Sequence, residues 1–157
     1  MKQNKHKFVS IKMELLNNLE WYFHSEPTNA CNKLTSKPLT NEEMDLIVVS
    51  KERMILILPL NDHYLLLESR ELTKPITVKK VLETIYTFYQ EPLKEDIANE
   101  AFKGSIDWMN EIIDTKYDGD ISQLIKYDIF TDTCTPDFCG IEYDEEKDEY
   151  VVVIGPI

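Results

Sequence analysis

The chain has 157 residues, of which 43% are apolar and 10% aromatic, enough material for one buried core. Its formal net charge is −12, and the acidic surplus lies in the second half: residues 1–80 carry 12 basic against 10 acidic residues, whereas residues 81–157 carry 5 against 19. A field of that sign repels phosphate backbones and attracts basic partners, so nucleic-acid binding through this half is disfavoured, and no apolar run reaches the ~20 residues of a membrane span.

The N-terminal residues are basic, and we predict that 1–7 form a flexible tail ahead of a single domain over 8–157. An alternative interpretation is a nucleic-acid-binding protein, in which the lysines of residues 1–12 would join Lys79 and Lys80 in one basic face. No apolar stretch of signal-peptide length follows the tail, and three cysteines are an odd number for a disulfide framework. We therefore expect a cytoplasmic chain with reduced thiols.

Residues 8–24, FVSIKMELLNNLEWYFH, carry apolar side chains at helical spacing and predict a helix of about four turns. Trp21, Tyr22 and Phe23 are consecutive there, and together they exceed what one helix face can bury. We expect part of this triplet to contact a partner or another subunit, so a homo-oligomer is possible.

The next segments predict a connection and a short helix. Residues 25–38 are polar and contain two prolines, which indicates a long surface connection. Thr40 and Glu43 have the spacing of a capping box. A short helix over 41–50 is expected, although LIVVS (46–50) would also suit a strand.

Two apolar runs, RMILILPL (53–60) and HYLLLES (63–69), flank the turn residues Asn61 and Asp62 and predict a β-hairpin. Pro59 is expected near the end of the first strand because proline has no N–H for the ladder.

The clearest helical pattern follows this hairpin. Thr77 is a suitable N-cap, and Pro92 limits the continuation of the helix. The apolar stripe of this helix consists of Val78, Val81, Leu82, Ile85 and Tyr89. Two further helices are predicted around 93–102 and 106–117, and a third short helix over 120–130.

The chain closes with FCGIEY (138–143) and YVVVIG (150–155), which predict a second hairpin. The second run is apolar on both faces, so we expect it in the interior of a sheet. Between them, six carboxylates fall within the eight residues 142–149. This cluster lacks the glycine and the glutamate that a calcium loop requires at its sixth and twelfth positions, so a solvated hairpin tip is the favoured interpretation.

These blocks resemble a poorly characterised domain found in proteins of giant DNA viruses and in many fungal proteins. The resemblance rests on MILILPL (54–60), PITVKKVLETIYTFYQEPL (75–93) and FCGIEYDEEKDEYVVVIGP (138–156). It implies a fold and a viral source, with the protein in the virion or in host cytoplasm, and it carries no activity, cofactor or catalytic residue to this chain.

Cysteine and histidine residues offer few patterns for chemistry. Cys134 and Cys139 form a C-x4-C pair, but a structural zinc site needs four ligands, and the other candidates, Cys31 and the histidines at 6, 24 and 63, are distant in sequence. We expect Cys139 to pack as a small apolar side chain and Cys134 to lie in a turn. A nucleophilic cysteine would need a nearby base, and no histidine lies in a recognisable motif.

Two carboxylate pairs could support acid–base chemistry. Asp107 with Glu111 and Glu91 with Glu95 each stand four residues apart, a spacing that is also common on solvated helix faces. No glycine-rich phosphate loop is present, because the four glycines occur singly.

We therefore predict a single α+β domain of antiparallel strands, in two hairpins, packed with several helices. The favoured function is a non-enzymatic interaction or structural module without a cofactor, which binds protein partners that have a basic surface. The residues predicted for that surface are Trp21, Tyr22, Phe23, Asp144, Glu145, Glu146 and Asp148. The alternatives are an enzyme of unfamiliar type that uses a cysteine or paired carboxylates, and a nucleic-acid-associated protein that binds through its basic N-terminal half.

Overall fold

The computed structural model of the protein describes residues 11–60, 66–130 and 137–155. The predicted tail at 1–7 lies outside this part of the chain. The helices are α1 (Ile11–Asn17), α2 (Asn41–Met44), α3 (Val78–Gln90), α4 (Glu95–Ala101) and α5 (Ile106–Tyr117). The strands are β1 (Leu19–Glu20), β2 (Cys31–Asn32), β3 (Lys37–Pro38), β4 (Ile47–Val49), β5 (Arg53–Pro59), β6 (Leu67–Thr73), β7 (Ile76–Thr77), β8 (Asp137–Asp144) and β9 (Glu149–Gly155).

A four-stranded sheet with strand order β6-β5-β9-β8 is the centre of the fold. β5 with β6 and β8 with β9 form antiparallel hairpins, and the hairpins join through parallel pairing of β5 with β9. The α+β class, both hairpins and the interior position of β9 are confirmed. The parallel junction was not predicted: β5 and β9 are the two most apolar strands, and such strands occupy interior positions.

The predicted helix after the first hairpin is confirmed as α3. Thr77 caps it, because its side-chain oxygen accepts a hydrogen bond from the backbone N–H of Lys80 at 3.1 Å. The hydroxyl of Tyr89 donates to the carbonyl of Pro59 at 2.7 Å, which ties the end of α3 to the end of β5. The whole predicted stripe is buried: Val78, Val81, Leu82, Ile85 and Tyr89.

The prediction of one helix over 8–24 was wrong. α1 ends at Asn17, and from Leu19 to His24 buried and exposed residues alternate. That alternation is the period of an extended chain, and β1 pairs with β2 there. The aromatic side chains at 21 and 23 therefore enter the core from an extended segment, and a helix could not place both of them on its buried side.

Residues 25–50 contain more regular structure than predicted. β2 and β3 pair with each other and complete a small three-stranded sheet with β1. The capping box is confirmed, since Thr40 and Glu43 each accept a hydrogen bond from the other's backbone N–H, at 3.1 and 2.9 Å. The helix ends at Met44 and β4 follows, so the strand alternative was the correct one for this stretch.

The segment from 93 to 130 contains the two predicted helices, α4 and α5. α5 ends at Tyr117 and is followed by Asp118 and Gly119, both with positive φ, the left-handed conformation that commonly ends a helix. The third predicted helix is wrong in type: two 3-10 segments, Ile121–Gln123 and Lys126–Phe130, take its place.

The second strand of the first hairpin is displaced toward the C-terminus relative to the prediction. The strand was expected to begin at His63, but residues 61–65 lie outside the described part of the chain, and β6 begins at Leu67, opposite Pro59. The ladder then continues through charged residues as far as Thr73. An edge strand tolerates such residues, which is why an apolar pattern alone misplaced it.

β8 contains a bulge between Phe138 and Gly140 that changes which side chains face the core. Phe138 and Ile141, which are three residues apart, are both buried, whereas Cys139 between them is exposed. The expectation that Cys139 packs as an apolar side chain was therefore wrong, because the bulge adds a residue to one strand and reverses the alternation.

We expect Gly140→Ala to destabilise the fold more than Gly104→Ala. Gly140 has φ +119°, and a Cβ atom there would lie close to the Asn17 side chain, whereas Gly104 has φ +90° and open space around it. Backbone strain alone costs about 1–2 kcal/mol, and overpacking adds about 1–3 kcal/mol. Urea unfolding of the two variants measures the difference; equal losses would show that the contact with Asn17 is unimportant.

Candidate interaction surface

The β8–β9 turn presents the acidic cluster to solvent, as predicted for a hairpin tip. Residues 145–148 form the turn, and Glu145 and Glu146 are exposed, while Asp144 is half-buried. The carboxylate of Asp144 accepts the backbone N–H of Lys147 at 3.3 Å. Six carboxylates so close together repel one another, but repulsion costs little where water screens the charges.

Asp148 is fixed by contacts within the protein. Its carboxylate lies 2.5 Å from the ammonium of Lys51 and accepts a hydrogen bond from the Tyr143 hydroxyl at 2.9 Å. The same ammonium lies 4.9 Å from the centroid of the Tyr143 ring. The hydrogen bonds from Lys51 and then Tyr143 hold the pKa of Asp148 below its usual range. These contacts connect the turn to the loop before β5 and position the neighbouring carboxylates.

Two of the three predicted aromatic contact residues are buried. Trp21 is 1% exposed and Phe23 0%, so their assignment to a partner surface was wrong. Trp21 packs edge-on against Phe138, and Phe23 packs against Tyr89 with ring centroids 4.5 Å apart. The reason is the extended backbone of this segment, which sends alternate side chains inward.

Tyr22 is the exposed member of the triplet, at 38%. Its neighbour Trp21 accepts the backbone N–H of Phe138 at the start of β8, whereas the acidic turn follows the end of that strand. An eight-residue strand spans roughly 25 Å at ~3.3 Å per residue. The structure therefore does not bring Tyr22 and the acidic turn together.

The thiol of Cys139 is exposed but is not activated. Partial loss of water around this thiol raises its pKa, and the nearby Asp137 carboxylate raises the pKa further. A thiolate is the nucleophilic form, so both effects oppose nucleophilic catalysis. Cys134 lies outside the described residues, and Cys31 is half-buried on β2.

His24 is the histidine that the structure describes; His6 and His63 fall in the parts of the chain outside it. Its ring lies 4.8 Å from that of Tyr127. Partial burial, and secondarily the charge of Lys116, lower the pKa of His24. The imidazole is thus placed on an aromatic surface near a cation.

The two predicted carboxylate pairs do not form acid–base sites. Asp107 and Glu111 are both exposed on α5. Glu91 and Glu95 are separated by the end of α3, and Glu95 is exposed, whereas Glu91 is held in an ion-pair cluster. The first pair therefore belongs to a solvated helix face. In the second pair, α3 ends between the two residues, and the carboxylates are separated.

No pattern of neighbouring residues predicts this ion-pair cluster, which joins α3, β6 and the 3-10 segment Lys126–Phe130. Lys126 is buried, with its ammonium 2.7 Å from Glu91, 3.1 Å from Glu68 and 4.1 Å from the centroid of the Phe88 ring. Arg70 lies 2.6 Å from Glu91 and 4.8 Å from the Phe88 centroid. Two cations and two carboxylates compensate one another around one ring.

A cleft of about 350 Å³ lies beside this cluster. The residues that line it are Arg70, Lys80, Glu83, Thr84, Thr87, Phe88 and Glu91. Lys80 donates to the carbonyl of Thr73 at 2.8 Å, so of the pair Lys79 and Lys80 only Lys79 is fully exposed. The cleft has two positive side chains, Arg70 and Lys80, and two negative ones, Glu83 and Glu91. Its charge therefore favours neither an anion nor a cation.

The buried carboxylate of Asp128 also has a structural role. It accepts hydrogen bonds from the Lys116 ammonium at 2.8 Å, the Tyr117 hydroxyl at 2.6 Å and the backbone N–H of Ile125 at 2.9 Å. Asp128 is 1% exposed. These donors compensate its burial and join the end of α5 to the following 3-10 segment.

Within residues 11–60, 66–130 and 137–155, no three histidine, cysteine, aspartate or glutamate side chains form a group suited to a metal ion. The helices in these ranges include none that is both long and apolar enough to cross a bilayer. Comparison of the chain with protein-family models, curated proteins and solved structures finds no match.

We expect Cys139 to react with iodoacetamide at pH 7.5 more slowly than free cysteine, because its raised pKa reduces the thiolate fraction. Asp137→Asn should accelerate the reaction, since it removes one cause of the shift. Mass spectrometry of the peptide that contains Cys139 follows this site alone. A rate above that of free cysteine would contradict this prediction and would support the alternative of an enzyme that uses a cysteine.

We expect Glu91→Gln to reduce stability at pH 7 and to flatten its decline in acid. Burial favours a raised pKa for Glu91, but hydrogen bonds from Lys126 and Arg70 outweigh it and lower the pKa below its ordinary 4.5. A lowered carboxyl pKa stabilises the fold above that ordinary value, and the contribution is lost as pH falls through the folded-state pKa.

Urea unfolding between pH 7 and pH 3 measures this dependence, with the exposed Asp107→Asn as the matched control. The wild-type and Glu91→Gln free energies of unfolding should converge in acid. A constant difference across the range would mean that the ion-pair cluster does not contribute through the charge of Glu91.

Proposed function

We propose that this protein is a non-enzymatic interaction module that binds a protein partner with a basic surface through the β8–β9 turn. The observation that carries the proposal is the exposure of Glu145 and Glu146 on a turn that the contacts of Asp148 with Lys51 and Tyr143 hold in place. A fixed turn loses less conformational entropy on binding than a mobile one, so its charges are better used.

The distribution of charge supports the same partner chemistry. Residues 81–157 carry 19 acidic against 5 basic residues, and the turn is the densest part of that surplus. Complementary charge speeds association and selects among partners more than it adds affinity. The resemblance to a domain of giant DNA viruses and fungi supports a place for this module in a virion or in host cytoplasm.

The enzyme alternative receives less support from the same geometry. The Cys139 thiol has a raised pKa, and the two carboxylate pairs are either solvated or separated. The nucleic-acid alternative depends on lysines at 1–12 together with Lys79 and Lys80, and Lys80 is half-buried with its ammonium on the Thr73 carbonyl. No observation favours either above the binding module.

We expect Glu145→Lys/Glu146→Lys to abolish binding of a lysine decapeptide at low salt, because the change replaces attraction by repulsion at the turn. Fluorescence anisotropy of a labelled peptide measures the affinity, and wild-type binding should weaken as ionic strength rises toward ~0.15 M, where the Debye length is about 8 Å.

The matched control is Asp107→Lys/Glu111→Lys, which makes the same change of charge on the exposed face of α5. This control should retain most of the binding. Equal losses in the two double variants would show that the peptide responds to net charge alone, and the turn would then have no special role.

A further inference from the structure

One face of the four-stranded sheet is aliphatic and lies outside the core. We call it the open face and define it by Ile55, Ile57, Leu67, Val151 and Val153. The register places Ile57 opposite Val151, so these side chains project from the same side of neighbouring strands. Ile57 is only 8% exposed, yet among the described residues neither it nor the other four belongs to the core cluster or packs against that cluster.

The opposite face of the same strands shows what a covered face looks like in this protein. Leu56, Leu58 and Val152 are 0% exposed and Met54 is 1% exposed, within the core that α3 completes. On the open face, in contrast, Ile55, Val151 and Val153 are half-buried and Leu67 is 50% exposed. Single aliphatic residues on a surface are ordinary, but a contiguous group on adjacent strands marks a contact surface.

Both edges of the sheet are occupied by groups of this chain. At the β6 edge, Arg70 donates to the carbonyl of Ser69 and Lys80 to that of Thr73, each at 2.8 Å. At the β8 edge, the N–H of Ile141 donates to the Asn17 side chain at 2.9 Å, and the N–H of Phe138 donates to the backbone of Trp21. Addition of a partner strand at an edge would have to break these bonds. The open face is therefore the more accessible contact.

Acidic side chains border the open face. Glu142 lies opposite Val151, Glu71 lies opposite Ile55, and Asp144 pairs with Glu149 on the same side of the sheet. Arg53, a cation on this side, lies 3.3 Å from Glu71. Two copies stacked face to face would oppose carboxylates to carboxylates, and each chain carries a net charge of −12. The border thus favours a cationic occupant over a second copy.

We infer that the open face is the docking surface for a partner polypeptide that presents aliphatic side chains flanked by lysine or arginine. The inference rests on the proposed function and locates the apolar part of the contact, whereas the β8–β9 turn supplies only charge. Burial of the five aliphatic side chains would provide affinity, and the bordering carboxylates would select a basic partner.

The test uses the full chain and a twelve-residue peptide that alternates valine with lysine, studied by isothermal titration calorimetry. Val151→Thr/Val153→Thr replaces methyl groups by hydroxyls on the open face, and Ile55→Thr replaces an ethyl group by a hydroxyl on the neighbouring strand. Each should weaken binding, the double variant by about tenfold or more, with a smaller negative heat-capacity change. Leu34→Thr, at an aliphatic residue that is 79% exposed elsewhere, should leave binding unchanged.

Two further peptides separate the contributions. An alternating valine–glutamate peptide should not bind, and an alternating serine–lysine peptide should bind weakly and should not distinguish the Val151→Thr/Val153→Thr variant from wild type. Equal binding of the valine–glutamate peptide, or unchanged affinity of both open-face variants, would overturn the inference. So would a concentration-dependent dimer that the same variants dissociate, because the occupant would then be a second copy.

The outcomes also distinguish this inference from the proposed function. If Glu145→Lys/Glu146→Lys leaves lysine-decapeptide binding intact while the open-face variants still weaken the valine–lysine peptide, the role of the turn fails and the docking surface stands. If the turn variant abolishes decapeptide binding while the open-face variants change nothing, the proposed function stands and the docking surface is refuted.

Discussion

The parallel pairing of β5 with β9 is the constraint on which the rest of the structure depends. It joins two hairpins that are separated by more than 60 residues of sequence, and every strand of the main sheet has its place relative to this junction. β5 ends at Pro59 and β9 begins at Glu149. The chain between these two strands is therefore long enough to contain the helices α3, α4 and α5. Buried side chains of those helices belong to the same core cluster as the inner face of the sheet.

Charged groups hold the periphery in a different way. Lys126 is buried between two carboxylates and the ring of Phe88, and Asp128 is buried among three hydrogen-bond donors. Each cluster joins a helix to the 3-10 segment near residue 126, and so adds polar contacts to an apolar packing in which the Phe130 ring lies 5.7 Å from that of Tyr89. Compensated burial of this kind specifies one arrangement, since a displaced partner would leave a charge in an apolar surrounding.

The two sides of the sheet thus have different roles. Residues such as Leu56 and Val152 belong to the core, whereas Ile57 and Val151, one residue away, lie on the open face. The acidic β8–β9 turn and the carboxylates that border the open face are all negatively charged. In the proposed interaction module, charge would select the partner and aliphatic area would provide the affinity.

Local elements whose signals are carried by neighbouring residues could be predicted from the order of the amino acids alone. The stripe and cap of α3, the capping box at Thr40 and the acidic hairpin were all predictable, because helical spacing, side-chain caps and turns act over a few residues. The tertiary structure decided what depends on distant partners: the burial of Trp21 and Phe23, the bulge that exposes Cys139, the ion pairs of Lys126 and the existence of an open face. A run that is apolar on both faces, such as YVVVIG, indicates an interior strand, but only the packing of the other elements decides which of its faces is covered.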